Sequence, residues 1–211
     1  MEDPNTYYKT RMKKDKEREK VWKEITNYLQ RYIPKDAKTL ELGAGYCDFI
    51  NNIKAKEKHA LDIYDGIKEH AKNEVTTHIM SATEIKAFKA ESFNCIFASN
   101  FFEHLEREDF HKVLEGCFKA LRKGGRLIIL QPNYYYAYRE YFDDYTHKMV
   151  LSHISFCDAM ESKGFKIKKC YKRFLPYSMK SGAPKARILI WAYLRSPIKP
   201  LAKQMLIVAE K

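Results

Sequence analysis

Residues 39–49, which read Thr-Leu-Glu-Leu-Gly-Ala-Gly-Tyr-Cys-Asp-Phe, constrain the fold more than any other stretch of the chain. A short apolar run that contains Glu41 is followed by Gly43 and Gly45. Glycine accepts positive φ and lets a ligand lie against the main chain, and the start of a following helix offers free N–H groups. We therefore predict a strand, a glycine turn and a helix near 46–55 that together bind a nucleotide. The alternative is that the two glycines only make a tight turn.

Composition and charge bound the class of protein. The chain has 211 residues, 45% of them hydrophobic, which is enough for one folded domain with a full core. Its five cysteines are scattered without a Cys-x-x-Cys pair, so we predict neither a disulfide framework nor a metal site. The N-terminus lacks a signal-peptide profile, and no apolar run approaches the ~18 residues of a membrane span, so we predict a cytoplasmic protein.

The net charge of +12 predicts anionic partners. These are nucleic acid, an acidic membrane surface, or phosphorylated and carboxylated substrates. The alternative is a lysine-rich solvated surface.

Apolar periodicity predicts alternating helices and strands. We expect helices over 8–33, 105–121 and 151–163, the last capped by Ser152, and strands over 39–42, 59–63, 75–80, 93–98, 126–130, 165–171 and 204–209. Such alternation indicates a doubly wound, mostly parallel sheet that binds its ligand at the carboxyl ends of the strands. We divide the chain into an N-terminal helical cap (1–35) and a main domain (36–211) with an insertion at about 174–200.

Several motifs resemble those of one enzyme family. Glu41, Gly43 and Gly45 match motif I of the class I S-adenosylmethionine-dependent methyltransferases, with Cys47 in place of a third glycine. Asp62 lies at the end of the second predicted strand, as the family's ribose-binding acid does, with Asp65 as the fallback. The run 121–127, Leu-Arg-Lys-Gly-Gly-Arg-Leu, is another family hallmark.

The resemblance implies a Rossmann-like fold with seven strands, the last antiparallel, and S-adenosylmethionine as cofactor, with S-adenosylhomocysteine as product. Ser81 and Asn94 stand where the family usually has acids. The cofactor-binding residues implied are Glu41, Gly43, Ala44, Gly45, Asp62, Ile63, Ser81, Ala82, Thr83, Asn100 and Phe101. A leading helix would also bring Tyr7, Tyr8 and Arg11 over the ligand, although a plain surface helix is the alternative.

The tyrosine-rich segment 131–147 follows the fifth predicted strand and should emerge at the mouth of the site. Its flat amphipathic rings suit sugars, aromatic acceptors or stacked bases, although some of them must pack on the core. His104 is either part of the pocket wall or a base. The predicted acceptor-binding residues are Tyr134, Tyr135, Tyr138, Phe142 and His104.

His147 is the main catalytic candidate. An imidazole near neutral pKa is what a hydroxyl acceptor needs as a base, and Asp144 or Asp143 could fix its tautomer. A lone histidine with a structural role is the alternative.

The apolar run 188–194 lies between basic residues, and several roles are open to it. Residues 184–199 could contact a membrane surface, cover the pocket, form a homodimer face, or add a helix to the core. The preceding Phe174-Leu175-Pro176-Tyr177 resembles polysaccharide-cluster methyltransferases, which implies a glycan acceptor.

The sequence leaves three alternative functions open. The first is methyl transfer to a hydroxyl of a sugar, glycan or other small molecule. The second is RNA methylation, favoured by the charge but not by the Ser99-Asn100-Phe101-Phe102 strand end. The third is a non-catalytic binding protein, suggested by Cys47, Ser81 and Asn94.

Overall fold

The computed structural model describes residues 16–177 and 186–211. Its strands are β1 (Lys38–Leu42), β2 (Glu57–Asp62), β3 (Val75–Ile79), β4 (Phe93–Ser99), β5 (Leu121–Pro132), β6 (Lys166–Pro176) and β7 (Ala202–Glu210). Its α-helices are α1 (Lys16–Leu29), α2 (Ile67–His70), α3 (Arg107–Ala120), α4 (Tyr134–Ala137), α5 (His153–Ser162) and α6 (Arg187–Arg195). Short 3₁₀ helices cover Gln30–Tyr32, Ala82–Ala87, Phe102–His104 and Tyr141–Asp143.

The strands form one seven-stranded sheet in the order β3-β2-β1-β4-β5-β7-β6. Strands β1 to β5 pair in parallel, whereas β7 is antiparallel to both β5 and β6. The predicted fold class is therefore confirmed. The strand order reverses between β1 and β4, and ligands of doubly wound sheets bind at such a switch point.

Apolar side chains cover both faces of the central strands, as expected for buried parallel strands. On one face the ring of Phe97 in β4 stacks on that of Phe49, with 3.9 Å between the ring centroids. It also packs edge to face with Trp22 of α1, with 6.4 Å between the centroids. On the other face Ile96 belongs to a cluster that includes Phe110 of α3 and Phe156 of α5. The alternation of neighbouring residues thus fixes which helix covers which face.

The predicted helix near 46–55 is wrong, because the structure has a series of turns there. Cys47 takes φ of 57°, which a regular helix does not accommodate. The N–H of Ile50 donates to Glu41 Oε2 (2.9 Å), while helical i to i−4 bonds join Asn51 to Cys47 and Ile53 to Phe49. The buried carboxylate of β1 therefore replaces one helical hydrogen bond.

Other element ends differ less from the prediction. Ser152 caps α5 as predicted, its Oγ accepting from the Ser155 N–H at 3.1 Å. Strand β6 continues to Pro176, since register shifts against β7 keep it paired and Phe174 is buried. Three residues of the Phe-Leu-Pro-Tyr run thus belong to β6. The first part of the predicted 8–33 helix, with Tyr7, Tyr8 and Arg11, lies outside the described residues.

Helix α6 lies in the described part of the predicted insertion and packs on α1. Its Leu194 is buried in the core, and Arg187 forms an ion pair with Glu24 of α1 at 2.8 Å. Its outer face leaves Ile188 68% and Trp191 46% exposed. Within the described ranges, none of the helices has the length and apolar character that a membrane span needs.

An ion pair joins α1 to the turns after the glycines. Arg18 Nε donates to Asp48 Oδ2 at 2.6 Å, and both side chains are mostly buried. We expect Arg18→Ala to lower the free energy of unfolding by about 1.5–3 kcal/mol, because it leaves the Asp48 carboxylate without this charged donor. Lys20→Ala is the control on the same helix, since its exposed pair with Glu17 should contribute at most ~0.5 kcal/mol. Urea unfolding of both variants tests this, and equal losses would contradict it.

Candidate active site

The glycine bend after β1 has the left-handed backbone that the sequence analysis predicted. Gly43 and Gly45 have φ of 62° and 50°. The Ala44 N–H donates to the Leu61 carbonyl at 3.2 Å, which attaches the bend to the end of β2. Cys47, which stands at the place of the third glycine, shares the positive φ despite its side chain and is fully buried.

Asp62 lies directly beneath this bend. Its Oδ2 accepts from the Gly45 N–H at 2.8 Å, and its Oδ1 accepts from the Tyr64 N–H at 2.9 Å. A carboxylate oxygen can accept more than one hydrogen bond, so a group of this kind suits the hydroxyls of a sugar. The structure thus brings Asp62 to the bend, whereas Asp65 is exposed.

Glu41 is 4% exposed and binds the backbone of the turns at Ile50. Burial raises the pKa of its carboxyl well above the ordinary value, against the opposing effect of the Ile50 N–H. Glu41 is placed to hold the shape of the bend.

The remaining predicted cofactor residues line the carboxyl edge of β2, β3 and β4. Ile63 follows Asp62 and is 52% exposed. The Ser81 hydroxyl caps a 3₁₀ helix by accepting from the Thr83 N–H at 3.2 Å, and Ala82 beside it is buried. Asn100 takes φ of 47°, and its N–H donates to the Leu130 carbonyl at 2.9 Å. The side chain of Asn100 remains exposed.

Phe101 packs directly against the glycine bend. A Cβ built on Gly43 would lie 2.6 Å from Phe101 Cδ2, so the ring and the bend fit only while residue 43 is glycine. This contact places the segment after β4 against the segment after β1.

Substitution of Gly43 tests that contact. We expect Gly43→Ala to lose about 1–3 kcal/mol more in unfolding free energy than Gly124→Ala. Both positions have positive φ, but a Cβ at Gly124 meets nothing within 4 Å, so the control measures backbone strain alone. Denaturant unfolding gives the comparison, with Gly43→Ala/Phe101→Ala expected to recover part of the difference. Equal losses for the two single variants would show that Phe101 does not restrict the bend.

Glu103, His104 and His147 form a polar cluster. Glu103 and His104 follow Phe101 in the chain, whereas His147 comes from the segment after β5. One potential ligand atom from each residue lies within 4.8 Å of the others, and the two imidazole centroids are 4.9 Å apart. The Glu103 carbonyl accepts from the N–H groups of Lys148 (2.8 Å) and Met149 (3.0 Å), which fixes the segment carrying His147 against β4. The structure thus brings together His104 and His147, which the sequence analysis proposed separately.

Asp144 reaches this cluster through Thr146. Asp144 Oδ1 accepts from the Thr146 N–H at 3.1 Å and from its Oγ1 at 2.6 Å. Thr146 Oγ1 in turn lies 2.9 Å from His104 Nδ1. The sequence analysis expected Asp144 to orient His147 and did not predict the link to His104.

Burial and hydrogen bonds together shift the pKa values of Glu103, His104 and Asp144. It raises the pKa of Glu103 to about 8, against the nearby N–H groups of Glu103 and Phe101. Burial, with His147 as the next cause, lowers the pKa of His104 to about 4. Burial also acts to raise the pKa of Asp144, but the hydrogen bonds from Thr146 outweigh it, so that the pKa is lowered.

The tyrosine-rich segment divides into core and surface. Tyr141 is fully buried, donates to the Met149 carbonyl at 2.7 Å, and has its ring centroid 4.7 Å from that of His147. The rings of Tyr134 and Tyr141 pack edge to face, with 5.2 Å between their centroids. Because Tyr141 packs on His147, Tyr134 lies near the polar cluster. Three predicted acceptor residues are more than half exposed, namely Tyr135, Tyr138 and Phe142.

Glu103, Thr146 and Tyr141 are the residues that the sequence analysis missed. Glu103 becomes a candidate only once its burial is known, because acids are rarely fully buried unless they are paired. Thr146 and Tyr141 carry no such signal, since their contacts depend on the fold of segment 131–147.

A comparison with known families identifies the family of the chain. A family model described as a methyltransferase domain matches residues 15–168. The chain belongs to this methyltransferase family. It is a class I S-adenosylmethionine-dependent methyltransferase, an enzyme whose cofactor is S-adenosylmethionine.

One curated relative matches about half of the chain. The phosphoethanolamine N-methyltransferase of Plasmodium falciparum is 29% identical over 120 residues, which are 53% of this chain and 44% of that protein. The chain therefore spans less than half the length of this curated relative.

Two solved structures are similar over nearly the whole chain. A SAM-dependent methyltransferase from Archaeoglobus fulgidus has a TM-score of 0.65 at 19% identity, covering 98% of both chains. A possible histamine N-methyltransferase from Thermotoga maritima has a TM-score of 0.68 at 18% identity, covering 98% of this chain and 93% of that one. At these identities the likeness concerns the fold.

The residues at the bend suit S-adenosylmethionine chemically. The left-handed backbone at Gly43 and Gly45 is of the kind that lets a ligand lie against the main chain, the Asp62 carboxylate is an acceptor of the type that sugar hydroxyls need, and exposed Ile63 offers an apolar surface beside it. Cys47 preserves the left-handed backbone of the motif in spite of the substitution.

Proposed function

We propose that this methyltransferase transfers the methyl group to a hydroxyl of a sugar, a glycan or another small molecule. The observation that carries the proposal is the polar cluster Glu103–His104–His147 at the carboxyl end of β4. Phe101, two residues before the cluster, lies against the glycine bend, so the cluster is next to the proposed cofactor site. A hydroxyl must lose its proton to become a methyl acceptor, and imidazole is the side chain best suited to assist.

The cofactor side of the site is assigned to the bend and its neighbours. We propose that Asp62 accepts hydrogen bonds from ribose hydroxyls, with Gly43, Ala44 and Gly45 giving main-chain contact and Glu41 holding their shape. The remaining cofactor contacts are assigned to Ile63, Ser81, Ala82, Thr83, Asn100 and Phe101. S-Adenosylmethionine, when bound, supplies a methyl group on a sulfonium sulfur. Positioning of the acceptor against it accounts for most of the acceleration, up to ~7–11 kcal/mol in such reactions.

His147 is proposed as the side chain that activates the acceptor hydroxyl, in its simplest form by accepting the proton. It is 9% exposed, beside His104 and Tyr141. Asp144 is a positioning residue, since it acts on the cluster through Thr146 and His104.

The acceptor is proposed to lie against the tyrosine-rich segment. Tyr134 borders the cluster, while Tyr135, Tyr138 and Phe142 offer exposed rings for an extended acceptor. Flat aromatic surfaces with polar tips suit sugar rings.

Amine methylation is the second candidate. It is favoured by the names of the Plasmodium relative, a phosphoethanolamine N-methyltransferase, and of the Thermotoga structure, a possible histamine N-methyltransferase. A neutral amine already has the lone pair that a hydroxyl lacks, so it depends less on the histidines.

We also propose contact surfaces and a location. The exposed apolar residues of α6 lie between Arg187 and Arg195, which supports peripheral contact of 184–199 with an anionic membrane or a homodimer face. The absence of a spanning helix among the described residues is compatible with the cytoplasm. The basic net charge supports anionic acceptors.

Labelled methyl transfer to fractionated cell extract tests the reaction. Label in glycan or hydroxylated small-molecule fractions, stable to conditions that hydrolyse esters, is the expected result. Label mainly in amines supports the second candidate, and salt-sensitive label in RNA would replace both.

A further inference from the structure

We infer that Glu103, His104 and His147 bind a divalent first-row cation such as Mn²⁺, Co²⁺ or Zn²⁺. Two imidazoles and a carboxylate suit these metals better than Mg²⁺ or Ca²⁺, which prefer oxygen ligands. The inferred role of the ion, to bind and activate the acceptor hydroxyl, rests on the proposed function. The binding of the ion does not.

The spacing of the three side chains allows one ion to contact all of them. Their nearest ligand atoms lie within 4.8 Å of one another. Ligand bonds to such ions are ~2.0–2.2 Å long, so small rotations of the side chains suffice to converge on one centre. The N–H groups of Lys148 and Met149 already fix the two segments against each other at the Glu103 carbonyl.

The second, independent observation is the Glu103 carboxylate itself. The residue is completely buried, and neither of its oxygens has a hydrogen-bond partner of normal geometry within the described residues. Burial of such an acidic group without a partner is costly. No ion pair described for residues 16–177 and 186–211 includes Glu103, whereas a bound cation would satisfy both oxygens.

His104 already has the outer partner that metal-binding histidines typically have. Its Nδ1 lies 2.9 Å from Thr146 Oγ1, and that hydroxyl is 2.6 Å from the Asp144 carboxylate. Such partners fix the ring and its tautomer and raise the basicity of the other nitrogen. Nε2 of His104 is the ligand atom assigned to the ion.

With the ion present, His147 serves as a ligand instead of a base. The acceptor hydroxyl binds the ion, which lowers its pKa, and its proton leaves to solvent. The oxygen then forms its bond to the methyl carbon as the carbon–sulfur bond breaks, giving the methyl ether and S-adenosylhomocysteine. Atoms and charge balance, with one proton released per methyl group.

Mn²⁺ binding to the purified, chelator-treated full chain tests the site. Electron paramagnetic resonance measures the free ion during titration. We expect wild type to bind Mn²⁺ and to gain thermal stability from it. Glu103→Gln and His147→Gln should lose more affinity than the ~10–100-fold that loss of an outer partner costs, and Thr146→Val should fall within that range. Exposed Glu108→Gln and His111→Gln are the matched controls and should bind as wild type.

The near-isosteric Glu103→Gln keeps the test interpretable. In chelator it should melt no lower than wild type, because it removes an unpartnered buried carboxyl, so loss of Mn²⁺ binding is separable from loss of fold. Wild type that binds neither Mn²⁺ nor Zn²⁺ overturns the ion site, and methyl transfer at full rate after chelation overturns the role of the ion in activating the hydroxyl. Mn²⁺ binding in a protein that methylates no hydroxyl supports the ion site and overturns the proposed function.

Discussion

His147→Ala is expected to reduce the rate of methyl transfer by ~100- to 10,000-fold while cofactor affinity stays near that of wild type. The imidazole is 9% exposed, next to His104 and packed on the ring of Tyr141. Cofactor affinity should be unaffected, because the residues assigned to the cofactor lie within or directly after β1 to β4, whereas His147 lies in the segment after β5.

The separation of kcat from cofactor affinity makes this prediction specific. Single-turnover transfer gives the chemical rate, and calorimetric titration with S-adenosylhomocysteine gives the affinity. His111→Ala, on the exposed face of α3, is the histidine control. Parental transfer rates in His147→Ala would remove the residue from the mechanism, and an equal loss in His111→Ala would make the effect nonspecific.

Asp62→Ala is expected to weaken cofactor binding by about 100-fold or more. The substitution removes acceptors for the proposed ribose hydroxyls and for the Gly45 and Tyr64 N–H groups. Charged hydrogen bonds contribute about 1.5–3 kcal/mol each, and every 1.4 kcal/mol is tenfold in affinity. Loss of two such contacts therefore gives the expected effect.

Asp65→Ala is the matched control, three residues further along and exposed. Titration of both variants with S-adenosylhomocysteine, together with their melting temperatures, separates lost affinity from lost fold. If Asp65→Ala weakens cofactor binding and Asp62→Ala does not, Asp65 is the ribose-binding acid and the assignment of Asp62 is wrong.

The sheet and the gathering of residues at its carboxyl edge were predictable because their signals are local. The strands are short apolar runs, the glycine bend and Asn100 directly follow strands, and Asp62 ends one. In a doubly wound sheet the carboxyl ends of parallel strands share one edge. Residues placed after β1, β2 and β4 therefore had to come together.

The failed prediction at 46–55 has an equally local cause, which sequence periodicity does not reveal. Its apolar spacing suits a helix, but the left-handed Cys47 and the hydrogen bond from Ile50 to Glu41 replace regular helical geometry. Propensity is a weak prior where a buried side chain competes for the backbone.

The polar cluster could be predicted only in part. His104 and His147 were each candidates, but they are separated by 43 positions, and the link through Thr146 and Asp144 depends on how segment 131–147 folds back on β4. The carboxylate of Glu103 has a sequence signal only once its burial is known. Helix α6 shows the same limit, since its exposed and core-packed residues occur within one apolar run.

Calorimetric titration of the purified chain with S-adenosylmethionine tests the central claim most directly, with Asp62→Asn titrated alongside. The account predicts saturable binding with one cofactor per chain, competition by S-adenosylhomocysteine, and a large loss of affinity in the variant. No binding at millimolar cofactor, or equal binding by Asp62→Asn, would contradict it.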